Sequence, residues 1–178
     1  RRVAAGLSRC FQVTSIFPQQ TVGENLLLAV QAHAGSSFRF VRRRETDHEL
    51  LAAAQALARR VTLESEWDRV AGTLPHGAQR KLDVALAIAS APKLLLLDEP
   101  MAGMGPVESA EMVALIQRLR QDMAILLVEH DMDAVFQLAD RISVLVYGKL
   151  LTSGTAAEIQ ADAQVQAVYL GTEEEARA

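Results

Sequence analysis

Three side chains combine a reactive type with a telling position. Asp98 and Glu99 end the run Leu94-Leu95-Leu96-Leu97, and His130 follows further along in Val128-Glu129-His130-Asp131. Adjacent carboxylates offer hard oxygen donors and a base at one place. Asp98 is suited to hold a magnesium ion, directly or through water. Glu99 is suited to orient and deprotonate an attacking water. An imidazole such as His130 can donate a hydrogen bond to a phosphate oxygen. Together these groups could serve a metal, a water and a phosphate oxygen at one edge.

The elements that must position them can be read from pattern. Four leucines without alternation predict a strand buried on both faces, the kind found in parallel sheets. Pro100 cannot continue the strand, because it lacks the N–H that the ladder needs. Asp98 and Glu99 are thereby expected at the carboxyl end of a central strand, where open α/β sheets bind ligands. Ala124 to Val128 predicts a second short buried strand, whose end carries His130 to the same edge. An apolar helix is expected from Gly77 to Ala91, with Leu82, Ala85, Leu86 and Ala89 on one stripe and Val84 and Ile88 on another, stopped by Pro92. Pro106 suits a first helical position, Glu108 and Glu111 suit the positive end of the dipole, and Met112, Leu115, Ile116 and Leu119 form the buried stripe. Met132, Val135, Phe136 and Ala139 mark another helix. Ile142, Val144 and Val146 alternate as a strand, Gly148 turns it, and Lys149–Ser153 returns as a hairpin partner. Capping boxes at Thr21–Glu24, Thr46–Glu49 and Thr155–Glu158 open three further helices. Residues 1–20 hold no strong period, and Ser15-Ile16-Phe17-Pro18 reads as a loop. Alternating helices and strands in the second half imply an α/β fold with parallel strands and helical crossovers. The stretch 22–76 lacks strand alternation and reads as a helical lobe.

Bulk properties bound the alternatives. The 178 residues are 50% hydrophobic, enough for one domain with a small appendage. A net charge of −4 gives no reason to expect a nucleic-acid partner. Cys10 is the single cysteine, which excludes an internal disulfide and fits a reducing cytosol; it is expected to be an inert small hydrophobe. No apolar run reaches the roughly 18 residues of a membrane helix, so a soluble chain is expected. Arg1-Arg2 is not followed by the apolar segment of a signal peptide. Trp67 is expected to pack in the lobe, His33, His48 and His76 to be surface or packing residues, Arg42-Arg43-Arg44 to be a solvated face with contact to a membrane partner or lipid head groups as the alternative, and Glu173-Glu174-Glu175 to be solvated.

Leu94–Pro100 followed by Val128-Glu129-His130-Asp131 resembles the ATP-binding subunit of ABC transporters. Phe11-Gln12 resembles that family's Q-loop, and Leu74-Pro75-His76-Gly77-Ala78-Gln79-Arg80 occupies the place of its signature loop. Asp140-Arg141-Ile142, the ending Tyr169-Leu170-Gly171 and the connector at 34–48 look most like ATPases of branched-chain amino-acid importers. The resemblance implies a partial P-loop NTPase-like parallel sheet with crossover helices and a helical lobe. It divides the chain into a Q-loop segment (1–21), the lobe (22–76), an α/β core (77–171) and an acidic tail (172–178). It implies that ATP and Mg2+ are bound, with Asp98 (the Walker-B position) and Gln12 at the metal and Glu99 as general base. His130 would contact the terminal phosphate, and Gly77 would offer a backbone N–H to phosphate. Gln12 would also sense the membrane partner. The implied partners are transmembrane permease subunits and a second ATP-binding subunit, identical or related, so that a dimer carries two composite sites. The implied location is the cytoplasmic face of the cell membrane, as a peripheral protein.

Three features depart from that family. No Gly-x-x-x-x-Gly-Lys-Ser/Thr occurs in the chain, since Gly148-Lys149 lacks the first glycine and the hydroxyl. An N-terminally truncated fragment, without tight ATP binding of its own and inactive alone, is therefore expected. Pro75 and Ala78 replace a serine and a glutamine of the signature loop, and Gly105 replaces an aspartate after the Asp-Glu strand. These departures leave two alternatives beside an importer ATPase: a non-catalytic, degenerate nucleotide-binding module, or the ATPase of a lipid or lipopolysaccharide exporter.

Overall fold

The structure, a computed structural model, describes residues 5–11, 14–33 and 44–168. Its residues fall into two compact units, Arg1–Glu129 and His130–Ala178. In the first unit three strands, β1 (Leu7–Cys10), β2 (Leu94–Asp98) and β3 (Ala124–Val128), form a parallel sheet in that spatial order. Leu97 lies level with Cys10 on one side and Leu127 on the other. The leucine strand is thus central, as its composition predicts.

Its burial is one-sided. Leu95 and Leu97 are buried, whereas Leu94, Leu96 and Asp98 alternate with them on a half-open face. β3 is no fully buried strand either, because Leu126 and Val128 are exposed on that same face. Apolar composition makes a strand fit for burial, but what covers each face is decided by other segments. β1 was not legible in the sequence: Leu-Ser-Arg-Cys carries no apolar run, and its backbone is ordered by pairing with β2.

Among the described residues, four α-helices complete the unit: α1 (Val22–His33), α2 (Arg44–Arg60), α3 (His76–Ile88) and α4 (Pro106–Leu119). The Thr21–Glu24 box forms as expected, with the Thr21 N–H donating to Glu24 Oε2 at 2.7 Å and the Glu24 N–H donating to Thr21 Oγ1 at 3.1 Å. The Thr46 box does not open α2: the helix already starts at Arg44, so Thr46 lies inside it. The loop entering α1 is stapled by buried Asn25, whose Oδ1 accepts from the Phe17 N–H at 2.8 Å and whose Nδ2 donates to the carbonyls of Phe17 and Thr21. Trp67 packs against Gly23 of α1, and short turns of 3-10 helix flank it at Glu64–Glu66 and Ala71–Thr73. α3 packs on β1, α1, α2 and α4. It ends at Ile88, before Pro92, where Ala91 enters the left-handed region with φ of 45°. α4 matches its prediction, with Pro106 at the first position and Met112, Leu115, Ile116 and Leu119 buried.

The second unit holds α5 (Met132–Leu138), a hairpin of β4 (Ile142–Val146) and β5 (Lys149–Gly154), and α6 (Ala156–Ala161). β4 pairs antiparallel with β5 in a sheet of its own, so it does not extend the parallel sheet as the helix–strand alternation suggested. Alternation specifies a half-buried strand, not its neighbour. Ile142 and Ile159 anchor a small core with Val165, and the Thr155–Glu158 box caps α6. Among the described residues, no helix is long and apolar enough to cross a membrane. Arg42, Arg43 and the segment 169–178, with its Tyr169-Leu170-Gly171 and acidic residues, lie outside the described residues.

Candidate active site

Asp98 and Glu99 emerge at the carboxyl end of β2. The Asp98 carboxylate is one-third exposed, on the half-open face, and its Oδ2 meets Arg9 Nη2 at 2.8 Å. Arg9 comes from β1, where it lies level with Leu96. Its guanidinium also stands 4.6 Å from the centre of the Phe11 ring, within range of a cation–π contact. A carboxylate so placed suits a hard cation, although Arg9 already engages one of its oxygens.

Glu99 leaves the strand sharply. Its φ of 45° is left-handed, a conformation that costs a residue with a Cβ about 1–2 kcal/mol. Three hydrogen bonds to its backbone hold it there. The Glu99 N–H donates to the Val128 carbonyl at 2.9 Å, one step beyond the β2–β3 ladder. Its carbonyl accepts from the Ala102 N–H at 3.2 Å and from Arg80 Nη2 at 3.0 Å. The next turn is tied to β3 by Glu129, whose Oε1 accepts from the Met101 N–H at 3.1 Å. Strain retained against such restraint marks functional turns. The three bonds fix the Glu99 backbone at the end of β2.

α3 supplies the rest. His76 and Gly77 form its first turn, as the sequence predicts for Gly77. Pro75 at the N-cap provides no side-chain cap. The Gly77 N–H donates instead to Glu108 Oε1 at 3.1 Å, while Glu108 Oε2 accepts from Gly105 N–H at 3.3 Å. A carboxylate thus sits where the helix N-terminus attracts an anion. His76 Nε2 lies 3.1 Å from the Ala102 carbonyl, next to the turn after Glu99.

Of the three buried charged residues on α3, Arg80, Lys81 and Asp83, Arg80 and Asp83 face the segment that ends β1 and were not legible as site residues. Arg80 is 3% exposed and Asp83 4%. Arg80 Nη1 donates to the Phe11 carbonyl at 2.8 Å, and Asp83 Oδ1 accepts from the Ser15 N–H at 2.9 Å. Burial raises the Asp83 carboxyl above its ordinary range, against the opposing pull of the Ser15 N–H and the Arg80 charge. Burial, reinforced by Asp83, pushes the Cys10 thiol up to about 12, which fits the inert role expected of it. The pattern of apolar residues marked α3 as a core helix. Its only hint of Arg80 and Asp83 was that charges stood inside a strongly apolar segment.

The structure therefore brings Asp98 and Glu99 together at one edge and places Gly77 at the start of the helix that carries Arg80. Gln12 lies outside the described residues, although its neighbour Phe11 is gripped by Arg80. His130 opens the second unit, exposed and followed by Asp131, which caps α5 through the Ala134 N–H.

The chain is similar to known proteins over most of its length. Residues 1–102 match the family model "ABC transporter" and residues 149–175 match "Branched-chain amino acid ATP-binding cassette transporter". The chain is 36% identical to the high-affinity branched-chain amino acid transport ATP-binding protein BraF of Pseudomonas aeruginosa, over 93% of this chain and 68% of BraF. It is 37% identical to the corresponding LivG protein of Escherichia coli, with the same coverage. It is also 32% identical to the lipopolysaccharide export system ATP-binding protein LptB of Acidithiobacillus ferridurans, over 96% of this chain and 67% of LptB. The crystal structure of the ADP conformation of MJ1267, an ATP-binding cassette of an ABC transporter, superposes with a TM-score of 0.77 at 25% identity, covering 95% of this chain and 70% of that one.

Proposed function

The chain belongs to the ABC transporter family, among its ATP-binding subunits, and from that premise we propose that it energises import of branched-chain amino acids by hydrolysing ATP. One family match, over residues 149–175, and the BraF and LivG relatives support that cargo class. The observation that carries the chemistry is the restrained turn at Glu99, directly after Asp98. In this reading Asp98 and Gln12 hold Mg2+, which when bound supplies positive charge to the phosphates. Glu99 takes the proton of the attacking water. His130 donates to the terminal phosphate, and the N-terminus of α3 at Gly77 faces the nucleotide of a partner ATP-binding subunit. The chain works at the cytoplasmic face of the membrane, docked on transmembrane permease subunits, with the segment around Gln12 sensing them. Vesicles carrying the assembled transporter should take up leucine, isoleucine or valine only when MgATP is present on the side of this chain. Uptake of none of the three, with ATP turnover intact, would remove the cargo assignment and favour an exporter of the LptB kind.

A specific observation favours a second reading, a non-catalytic nucleotide-binding module. The chain contains no phosphate-loop motif, Pro75 leaves α3 without a side-chain cap, and Glu108 holds the Gly77 N–H. Calorimetric titration of the 178-residue chain separates binding from chemistry. MgATP should bind this chain alone more weakly than about 1 mM, a binding free energy of roughly −4 kcal/mol. Micromolar binding would show that the phosphate-binding half of a site is not needed.

A further inference from the structure

We propose that Arg80 is a positioning residue that links the segment around Gln12 to the backbone of Glu99, so that movement of the segment changes the aim of the base. The proposal rests on the reading of Glu99 as base and of the Gln12 segment as sensor, but the link itself is a matter of geometry. Arg80 and Asp83 are three residues apart on α3, hence on one face. Both are buried, and both point their polar atoms at the same segment. Asp83 takes the Ser15 N–H at 2.9 Å and Arg80 gives a hydrogen bond to the Phe11 carbonyl at 2.8 Å. The residues between those two grips include Gln12 and Val13. The second Nη of Arg80 meets the Glu99 carbonyl at 3.0 Å.

Two features make this more than carbonyl satisfaction. The guanidinium is planar and rigid, so its two Nη atoms cannot adjust independently. A shift of the Phe11 carbonyl must tilt the plane or break one of the bonds. And the peptide at its other end belongs to the one residue of the Asp-Glu pair that is held at positive φ. Ordinary core packing would need neither a charge at this depth nor a bond to that carbonyl. Lysine would keep the charge but present a single nitrogen, without the fork that spans two carbonyls.

The test uses Arg80→Lys and Arg80→Gln, the first guarding against loss of folding in the second. In the 178-residue chain, exchange of the Glu99 amide should speed up about tenfold or more in both variants, the effect of losing a charge-assisted hydrogen bond. Amides in α4 should keep their protection. Loosening the far grip with Asp83→Ala should speed Glu99 exchange when Arg80 is present, and should have no such effect in the Arg80→Lys background. In the assembled transporter, both Arg80 variants should lower kcat about tenfold, leave nucleotide affinity unchanged and blunt the response of turnover to the permease. Unchanged Glu99 exchange in Arg80→Lys, or equal effects of Asp83→Ala in both backgrounds, would overturn the link. If the unmodified transporter turns over no ATP, the reading of Glu99 as base fails, while the exchange measurements still decide whether Arg80 joins the two segments.

Discussion

Glu99→Gln in the assembled transporter is expected to bind MgATP as the unmodified protein does and to hydrolyse it at least about a hundredfold more slowly, within the range that a positioned general base contributes. The substitution is nearly isosteric. It removes the proton acceptor and leaves every backbone contact that shapes the turn: the bond to the Val128 carbonyl, and the bonds from Ala102 and Arg80 to the Glu99 carbonyl. With those backbone bonds kept, the turn and the β2–β3 pairing should be retained. Asp98→Asn is the contrast. It weakens an oxygen ligand and the ion pair with Arg9, so it should reduce the magnesium dependence of nucleotide binding as well as turnover. Single-turnover hydrolysis with radiolabelled ATP, alongside filter binding, separates the two. Turnover of Glu99→Gln within twofold of the unmodified transporter would show that another group takes the proton.

The carboxylate pair was legible because its signal is local. A leucine run, two acids and a proline specify a strand, its end and what the end displays, whatever the rest of the chain does. The capping boxes at Thr21 and Thr155 were legible for the same reason, since each closes within four residues. What the sequence hid were properties owned by pairs of distant segments. β1 is ordered by its register with Leu94–Leu97, which its own residues do not encode. The exposed face of β3 depends on what lies over Leu126 and Val128, not on their hydrophobicity. Arg80 and Asp83 are charges in a helix read from its apolar stripes, and they are buried where Phe11 and Ser15 bring backbone partners to them. A buried charge is stable only where such partners arrive, and those lie 69 and 68 residues away in the chain. Arg9 escaped notice for the same reason: its partner Asp98 is 89 residues distant.

The packing of Trp67 on α1 gives a prediction of comparable size on stability. Gly23→Ala should destabilise the chain by about 2–3 kcal/mol, the upper part of the range for overpacking a closed site. A Cβ on Gly23 would stand 2.4 Å from Trp67 Cε2, 2.7 Å from Nε1 and 2.8 Å from Cζ2. All three belong to the rigid indole, so no flexible end can give way. Backing off is opposed as well, because the Gly23 N–H donates to the Trp67 carbonyl at 2.9 Å and the preceding Val22 N–H donates to the Arg69 carbonyl at 3.0 Å. The clash thus falls on two backbones already tied to each other. For a chain of this length each kcal/mol lowers the midpoint by about 2–4 °C, so calorimetry should find a fall of roughly 4–12 °C. The cause is checked by a double-mutant cycle. Phenylalanine lacks the outer indole atoms, so Trp67→Phe should lose packing by itself but recover a large part of the Gly23→Ala loss when combined with it. If Gly23→Ala melts like the unmodified chain, or the two losses simply add, the close approach of α1 to the indole does not limit the stability of the chain.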